Sequence, residues 1–204
     1  MKLEFRKLEK RDEKKAIQFA VEGMHFNWYT RSRLLQNLYG RYFWYLAMTR
    51  ATQVIAVYQG ESFAGVLLAE MKEEKKQYDS CWKMLYIKVF NMLQNIVAKD
   101  GTRVYQRANK EMFLEYCQSN IPDGEIIFLA ANPAIKARGI GSALLTEFEQ
   151  KERGKKIYLY TDNACTYQFY EHRGFERSCE KDIVLNLGNK SVPLKCLLYS
   201  RELL

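Results

Sequence analysis

Apolar and polar positions follow two rhythms along this chain, one of helical period and one of strand period. From Arg11 to Val21, the residues Ala16, Ile17, Phe19, Ala20 and Val21 fall at helical spacing, after a short strand pattern in LEFRKL. A second helical run extends from Thr30 to Ala51, with Leu34, Leu35, Leu38, Tyr42 and Tyr45 at helical intervals and Thr30 or Ser32 placed to cap its start. QVIAVY, the turn residues QGES and FAGVLLAEM then read as a β-hairpin. The polar stretch KEEKKQYDS leads into CWKMLYIKVFNMLQNIV, and after Asp100 and Gly101 a further helical pattern runs through EMFLEYC. Residues 72–122 are therefore expected to form a helical insertion between the third and fourth strands. Pro122, Asp123 and Gly124 make a turn, and EIIFLAA and KKIYLYT are continuous apolar runs of the kind covered on both faces. Between them a helix opens at KARGIGSALLTEF, so strand, loop, helix and strand predict a right-handed crossover. One more helix is expected over Asn163 to His172, and DIVLNL and VPLKCLLYS close the chain as two strands.

Composition narrows the picture. The 204 residues suffice for one globular domain, and 48% apolar residues with 27% charged and three prolines describe an ordered chain. No apolar run reaches the length of a membrane span, and the start MKLEFRKLEKRDEKK lacks the apolar core of a signal peptide, which predicts a cytoplasmic protein without a membrane partner. The five cysteines are scattered and never in a CxxC pair, so they are expected to be reduced and mostly buried. With only His25 and His172, neither a multi-histidine metal site nor a Ser/His/Asp triad is expected. The formal charge of +8 comes from runs in which acids and bases are mixed, a pattern of solvated helix surface rather than of a nucleic-acid stripe.

The chemistry concentrates in the loop KARGIG. Glycines are poor helix formers, yet two stand where a helix should begin, beside Lys136 and Arg138. Amides at a helix start point outward and favour anions, and glycines let a phosphate approach them. Two familiar phosphate motifs do not fit. A Walker A loop needs a lysine after its last glycine, and none follows Gly141. A dinucleotide fingerprint would match Gly139, Gly141 and the later Asp162, but Leu144 replaces its third glycine and NPAIKAR separates strand from glycines. A tight turn with no ligand remains the plain alternative.

Lys136 to Gly141 resembles the acyl-CoA signature of the GNAT superfamily of N-acetyltransferases, Gln or Arg followed by xxGxG or xxGxA. Lys136 at the first position keeps the positive charge and loses the planar hydrogen-bonding fork. Upstream, EIIFLAANP is similar to the family's fourth strand. Downstream, NACTYQFYEHRGF resembles its last motif, an Asn seven positions before a Tyr that leads into Gly174 and Phe175. The resemblance covers about residues 124–176, and the hairpin containing Gly65 fits the second and third strands. It implies an α/β fold with a mixed, mostly antiparallel central sheet flanked by helices, in a single domain over residues 1–204.

The resemblance also implies acetyl transfer from acetyl-CoA to a primary amine by direct attack, with no covalent enzyme intermediate. It places the coenzyme A diphosphate on Lys136, Ala137, Arg138, Gly139, Ile140, Gly141 and Ser142, and the pantetheine arm beside Leu129, Ala130 and Ala131, whose amides would stabilise the oxyanion. Pro133, lacking an N–H, should end the strand pairing there. Tyr170 matches the general acid. Asn163 would cap the last helix or bond the cofactor. Glu125, eleven residues before Lys136, matches the base of the histone-acetylating branch, against the alternative of a strand-end carboxylate, with Glu70 in reserve. Cys165, without a partnered histidine, is not expected to be a nucleophile.

In this family the first two helices wall the acceptor pocket, which points to Phe26, Trp28 and Tyr29 as lining or as plain interhelical packing. Tyr78, Trp82 and Tyr86 recur at helical intervals in the insertion, which would cover the active site or form a homodimer surface. A small-molecule amine is the expected acceptor. A protein acetyltransferase and a non-catalytic acyl-CoA sensor are the rival readings.

Overall fold

The computed structural model describes residues 2–77, 80–97, 101–135, 139–187 and 190–204. Its elements follow in the order β1 (Leu3–Arg6), α1 (Glu13–Gly23), α2 (Phe26–Tyr29), α3 (Arg33–Arg50), β2 (Gln53–Gln59), β3 (Ser62–Met71), α4 (Cys81–Val97), α5 (Gly101–Tyr116), β4 (Gly124–Ala131), α6 (Ile140–Lys151), β5 (Lys156–Asp162), α7 (Gln168–His172), β6 (Glu176–Leu187) and β7 (Lys190–Glu202). The fold is α/β, its strands mostly antiparallel and flanked by helices, with α4 and α5 inserted between β3 and β4. The chain divides into two units, residues 1–87 with 126–153, and residues 88–125 with 154–204.

In the first unit, β1, β2 and β3 pair antiparallel and β4 lies beside β3. The helix α3 begins later than Thr30 because Thr30 and Ser32 are both extended; Ser32 Oγ accepts from the Leu35 amide, and Thr30 Oγ1 accepts from the Ser32 amide. His25, in the left-handed region at φ 51°, separates α1 from α2. Ala16, Ile17, Phe19 and Ala20 of α1, with Trp44, Ala47 and Met48 of α3, pack on Ala56, Tyr58, Phe63, Val66, Leu68 and Phe128. Each large side chain buried in this way contributes on the order of 2 kcal/mol. At Val57 and Tyr58 the register shifts, so that Gly65 and Phe63 are their partners and Ala64 is an extra residue in β3. The start of α4 docks in this unit: Lys83 pairs with Glu13, the Tyr86 hydroxyl donates to the Leu38 carbonyl, and the Tyr86 ring meets Tyr45 edge-on.

In the second unit, β7 runs between β5 and β6, antiparallel to both. The stripe Ala108, Met112 and Tyr116 of α5 recurs every fourth residue and packs over Cys179, Cys196 and Leu198. Tyr105, Phe113, Tyr158 and Tyr160 extend that cluster. All five cysteines are free thiols. Cys179 and Cys196 are buried and Cys117 and Cys165 half-buried, whereas Cys81 is exposed, because it lies on the outer side of α4 near Trp82, Leu85, Val89 and Met92, which are exposed too. Tyr78 lies outside the described residues. No helix among the described residues is long and apolar enough to cross a membrane.

One position ties β3, β4 and α6 together. A Cβ on Gly65 would stand 2.7 Å from the Ala130 carbonyl oxygen, 2.9 Å from Ile140 Cγ2 and 3.1 Å from Leu144 Cδ1. The first of these is backbone and cannot rotate away. Gly65→Ala is expected to destabilise the chain by about 1–3 kcal/mol, read as a lower midpoint in urea unfolding followed by circular dichroism.

Candidate active site

The first unit carries a strand, a loop and a helix start in succession. The strand β4 ends at Ala131, and Asn132, which is buried, directs the exit. Its amide donates to the Ala64 carbonyl at 2.7 Å and its Nδ2 to the Phe63 carbonyl at 3.0 Å, while its Oδ1 accepts from the Ala134 amide at 3.0 Å. The extra residue in β3 thus supplies an acceptor for the last amide before Pro133. Asn132 was missed in reading the sequence, although Asn-Pro is a turn-initiating pair.

Beyond the loop, Gly139 is the N-cap of α6, at φ 83° and ψ 14°, and the first helical hydrogen bond runs from the Ala143 amide to the Gly139 carbonyl at 2.8 Å. The amides of Ile140, Gly141 and Ser142 therefore belong to the turn in which a helix has no internal acceptors, and no acidic side chain occupies that turn. A Cβ on Gly139 would meet no atom of the described residues within 4 Å. Its glycine answers a backbone conformation that other residues resist, and the surface there is open. Ile140 is buried and anchors the helix start near Gly65. This arrangement fits a diphosphate. Lys136, Ala137 and Arg138, expected to contribute, lie outside the described residues.

Also in the first unit, the reserve base Glu70 is held by Arg50 at 2.7 Å. Trp28 stacks on His25 with ring centroids 4.6 Å apart, and Phe26 lies 5.8 Å from Tyr39. The half-buried Phe26 and Trp28 and the backbone of Tyr29 make up the single turn α2.

The second unit holds the proton-transfer candidates. Glu125, buried at the start of β4, accepts from the Tyr158 hydroxyl at 3.1 Å. Tyr158 is itself surrounded by Phe113, Tyr116 and Tyr160. Tyr170 sits on α7, its ring edge-on to Phe169 and Phe175 and tilted against Tyr199. Part of the side chain reaches the surface, but protein encloses the phenol, and this desolvation, with Cys165 adding to it, raises the group well above the usual tyrosine range. Burial likewise pushes the Cys165 thiol up to about 12, with Asp162 reinforcing the shift. A thiol so disfavoured as thiolate is no activated nucleophile.

The expected helix from Asn163 to His172 is corrected: only Gln168–His172 is helical. Asp162 Oδ1 accepts from the Ala164 and Cys165 amides at 2.9 and 3.2 Å and folds residues 163–167 into a turn. Asn163 does not cap α7. Its amide donates to the Lys195 carbonyl and its Oδ1 accepts from the Lys195 amide, which fastens the turn to β7. At the other end of α7, Glu171 accepts from Tyr199 at 2.5 Å and from Arg177 at 2.9 Å. Among the described residues no group of three or more His, Cys, Asp or Glu could hold a metal ion.

The model of the acetyltransferase (GNAT) family matches residues 72–175. The chain belongs to that family. Solved structures show the same fold at low identity. PaiA N-acetyltransferase from Thermoplasma acidophilum, crystallised in complex with coenzyme A, gives a TM-score of 0.52 at 14% identity over 99% of both chains. A structure described as histone acetyltransferase HPA2 and related acetyltransferase, from Corynebacterium glutamicum, gives 0.57 at 15% identity over 97% of this chain and 96% of its own. The ribosomal-protein-S18-alanine N-acetyltransferase from Escherichia coli gives 0.50 at 11% identity, over 99% and 94%. No curated protein sequence matches the chain.

Two outcomes follow from this geometry. Gly139→Ala places a Cβ in open space but in the left-handed region, so it is expected to cost about 1–2 kcal/mol of stability through the backbone alone, with Gly139→Asn milder, as thermal unfolding would show. The raised Tyr170 phenol keeps its proton in the folded chain where the unfolded chain, with a pKa near 10, has lost it. Its contribution to stability is thus full below about pH 10 and lost as the pH rises further. Tyr170→Phe should flatten the alkaline decline in Tm.

Proposed function

We propose that this chain transfers the acetyl group of acetyl-CoA to a primary amine of a small molecule. The observation that carries the reading is the start of α6, where the left-handed Gly139 and the outward first-turn amides follow a strand that ends at Ala131, just before Asn132 and Pro133. Bound coenzyme A supplies a thioester, whose acyl carbon is open to attack by a neutral amine. The amides of Gly139 to Ser142, with Lys136, Ala137 and Arg138, hold the diphosphate. Because the Asn132 amide points to β3, strand alternation turns those of Leu129 and Ala131 to the other edge of β4, where they meet the pantetheine arm and the negative charge developing on the carbonyl oxygen. Ala130 presents a small side chain beside them.

The proton balance uses Glu125 and Tyr170. An amine with a pKa near 10 arrives mostly protonated and loses a proton to Glu125, directly or through water. As the nitrogen–carbon bond forms and the carbon–sulfur bond breaks, the nitrogen gives its second proton to water and Tyr170 gives its proton to the departing thiolate; Glu125 then releases its proton to solvent and Tyr170 is reprotonated from it. The Tyr170 phenol, with an ordinary pKa near 10, carries its proton at neutral pH, and burial raises it further. The Tyr158 hydroxyl fixes the orientation of Glu125. Asn163, bound through its side-chain oxygen to the Lys195 amide, keeps its Nδ2 for the cofactor. Phe26, Trp28 and Tyr29 line the acceptor side, and the insertion favours an acceptor small enough to be enclosed.

Mass spectrometry with acetyl-CoA, a panel of small amines and a panel of peptides tests the acceptor; acetylation of peptides alone would reverse the choice of a small molecule. Tyr170→Phe is expected to lower kcat by roughly a hundredfold or more while calorimetric affinity for coenzyme A stays the same. Glu125→Gln should lower kcat comparably. A chain that binds coenzyme A and turns over none of the amines or peptides would be a sensor.

A further inference from the structure

The helix α7 has five residues and no side-chain cap, too short to hold itself in place. Its orientation must be imposed from outside. Successive main-chain hydrogen bonds lead into it: the Cys165 amide to the Asp162 carbonyl at 3.1 Å, the Tyr167 amide to the Cys165 carbonyl at 2.9 Å, and the Tyr170 amide to the Tyr167 carbonyl at 2.9 Å. The series starts at Asp162, whose carboxylate is buried. One carboxylate oxygen takes the Ala164 and Cys165 amides, and the other accepts from the Tyr105 hydroxyl at 3.3 Å. Tyr105 is on α5, in the insertion, on the helix that Ala108, Met112 and Tyr116 seat over Cys196 and Leu198.

We propose that Tyr105 and Asp162 are positioning residues for Tyr170, through which the insertion sets the aim of the proton donor. The inference rests on the reading of Tyr170 as general acid. The Tyr105 hydroxyl orients a carboxylate that would otherwise rotate, and the carboxylate holds the turn at residues 163–167 from which α7 projects the phenol. The Tyr105 phenol carries its proton at neutral pH, and burial raises it further, so it donates to the carboxylate. Through these two residues the insertion affects turnover.

A double-mutant cycle on the full chain tests this, with thiol release from acetyl-CoA as the readout, the acceptor being the best amine of the panel. Tyr105→Phe is expected to lower kcat roughly five- to tenfold, with the KM for acetyl-CoA and calorimetric coenzyme A affinity unchanged. Combined with Tyr170→Phe it should add no further loss. Asp162→Asn, which keeps the acceptor for the two amides, should retain most of the activity that Asp162→Ala loses. If Tyr170→Phe is impaired but Tyr105→Phe is not, or if their losses multiply, the positioning role is overturned and the general acid stands. If Tyr170→Phe is unimpaired, the acid reading falls and this inference with it. Amide hydrogen exchange gives an acceptor-free measure: Ala164 and Cys165 should exchange faster in Tyr105→Phe, and unchanged exchange there overturns the proposal.

Discussion

The closest constraint in the first unit is steric. At Gly65 the backbone of β3 approaches the Ala130 carbonyl, and the vacated space is filled by Ile140 and Leu144 from α6. A strand end, the next strand and a helix start are brought to one point by the absence of a side chain. Ile140 can be buried there only because Gly65 leaves room, and Gly139, one residue earlier, then takes the left-handed conformation in which α6 opens with its amides turned outward. Asn132 completes the fixation by bonding to two successive carbonyls of β3, one of them at the extra residue Ala64. Packing, a bulge and one unusual φ angle thus define a place where an anion can sit.

The second unit uses polar fixation where the first uses packing. A five-residue helix carries Tyr170, secured on one side by Asp162 and Asn163 and on the other by Glu171 with Arg177 and Tyr199. The Asp162 end has the lower tolerance, since a buried acceptor left without a partner costs more than the bond contributes, whereas the Glu171–Arg177 pair is exposed. The same enclosure that raises Tyr170 keeps Cys165 a neutral thiol.

Elements with a strong local signal were legible in the sequence. The hairpin, the Ser32 cap of α3, the two insertion helices, the apolar run of β4 and the opening of α6 at a pair of glycines all follow from period, turn chemistry or capping. The stretch after β5 did not. Its apolar spacing suggested a helix from Asn163, but Asp162 and Asn163 spend their side chains on nearby and distant backbone and delay α7 until Gln168. The contact of Tyr105 with Asp162 joins residues far apart in the chain and leaves no periodic trace. Asn132 gave a weak sign in Asn-Pro, whereas its bonds to Phe63 and Ala64 depend on a bulge that the alternation of β3 does not reveal. The family resemblance singled out Glu125 and Tyr170 as candidates by motif, while their contacts with Tyr158 and Tyr199 come from elsewhere in the chain.

The distribution of the cysteines has a practical consequence. Cys81 stands in solvent at the head of α4, while Cys165 and Cys196 are shielded and poorly ionised and Cys179 is buried. A maleimide dye added at low stoichiometry would react first at Cys81, so the unaltered chain carries its own attachment point for a fluorophore. Polarisation of that dye would report on the segment joining β3 to α4 as ligands are added.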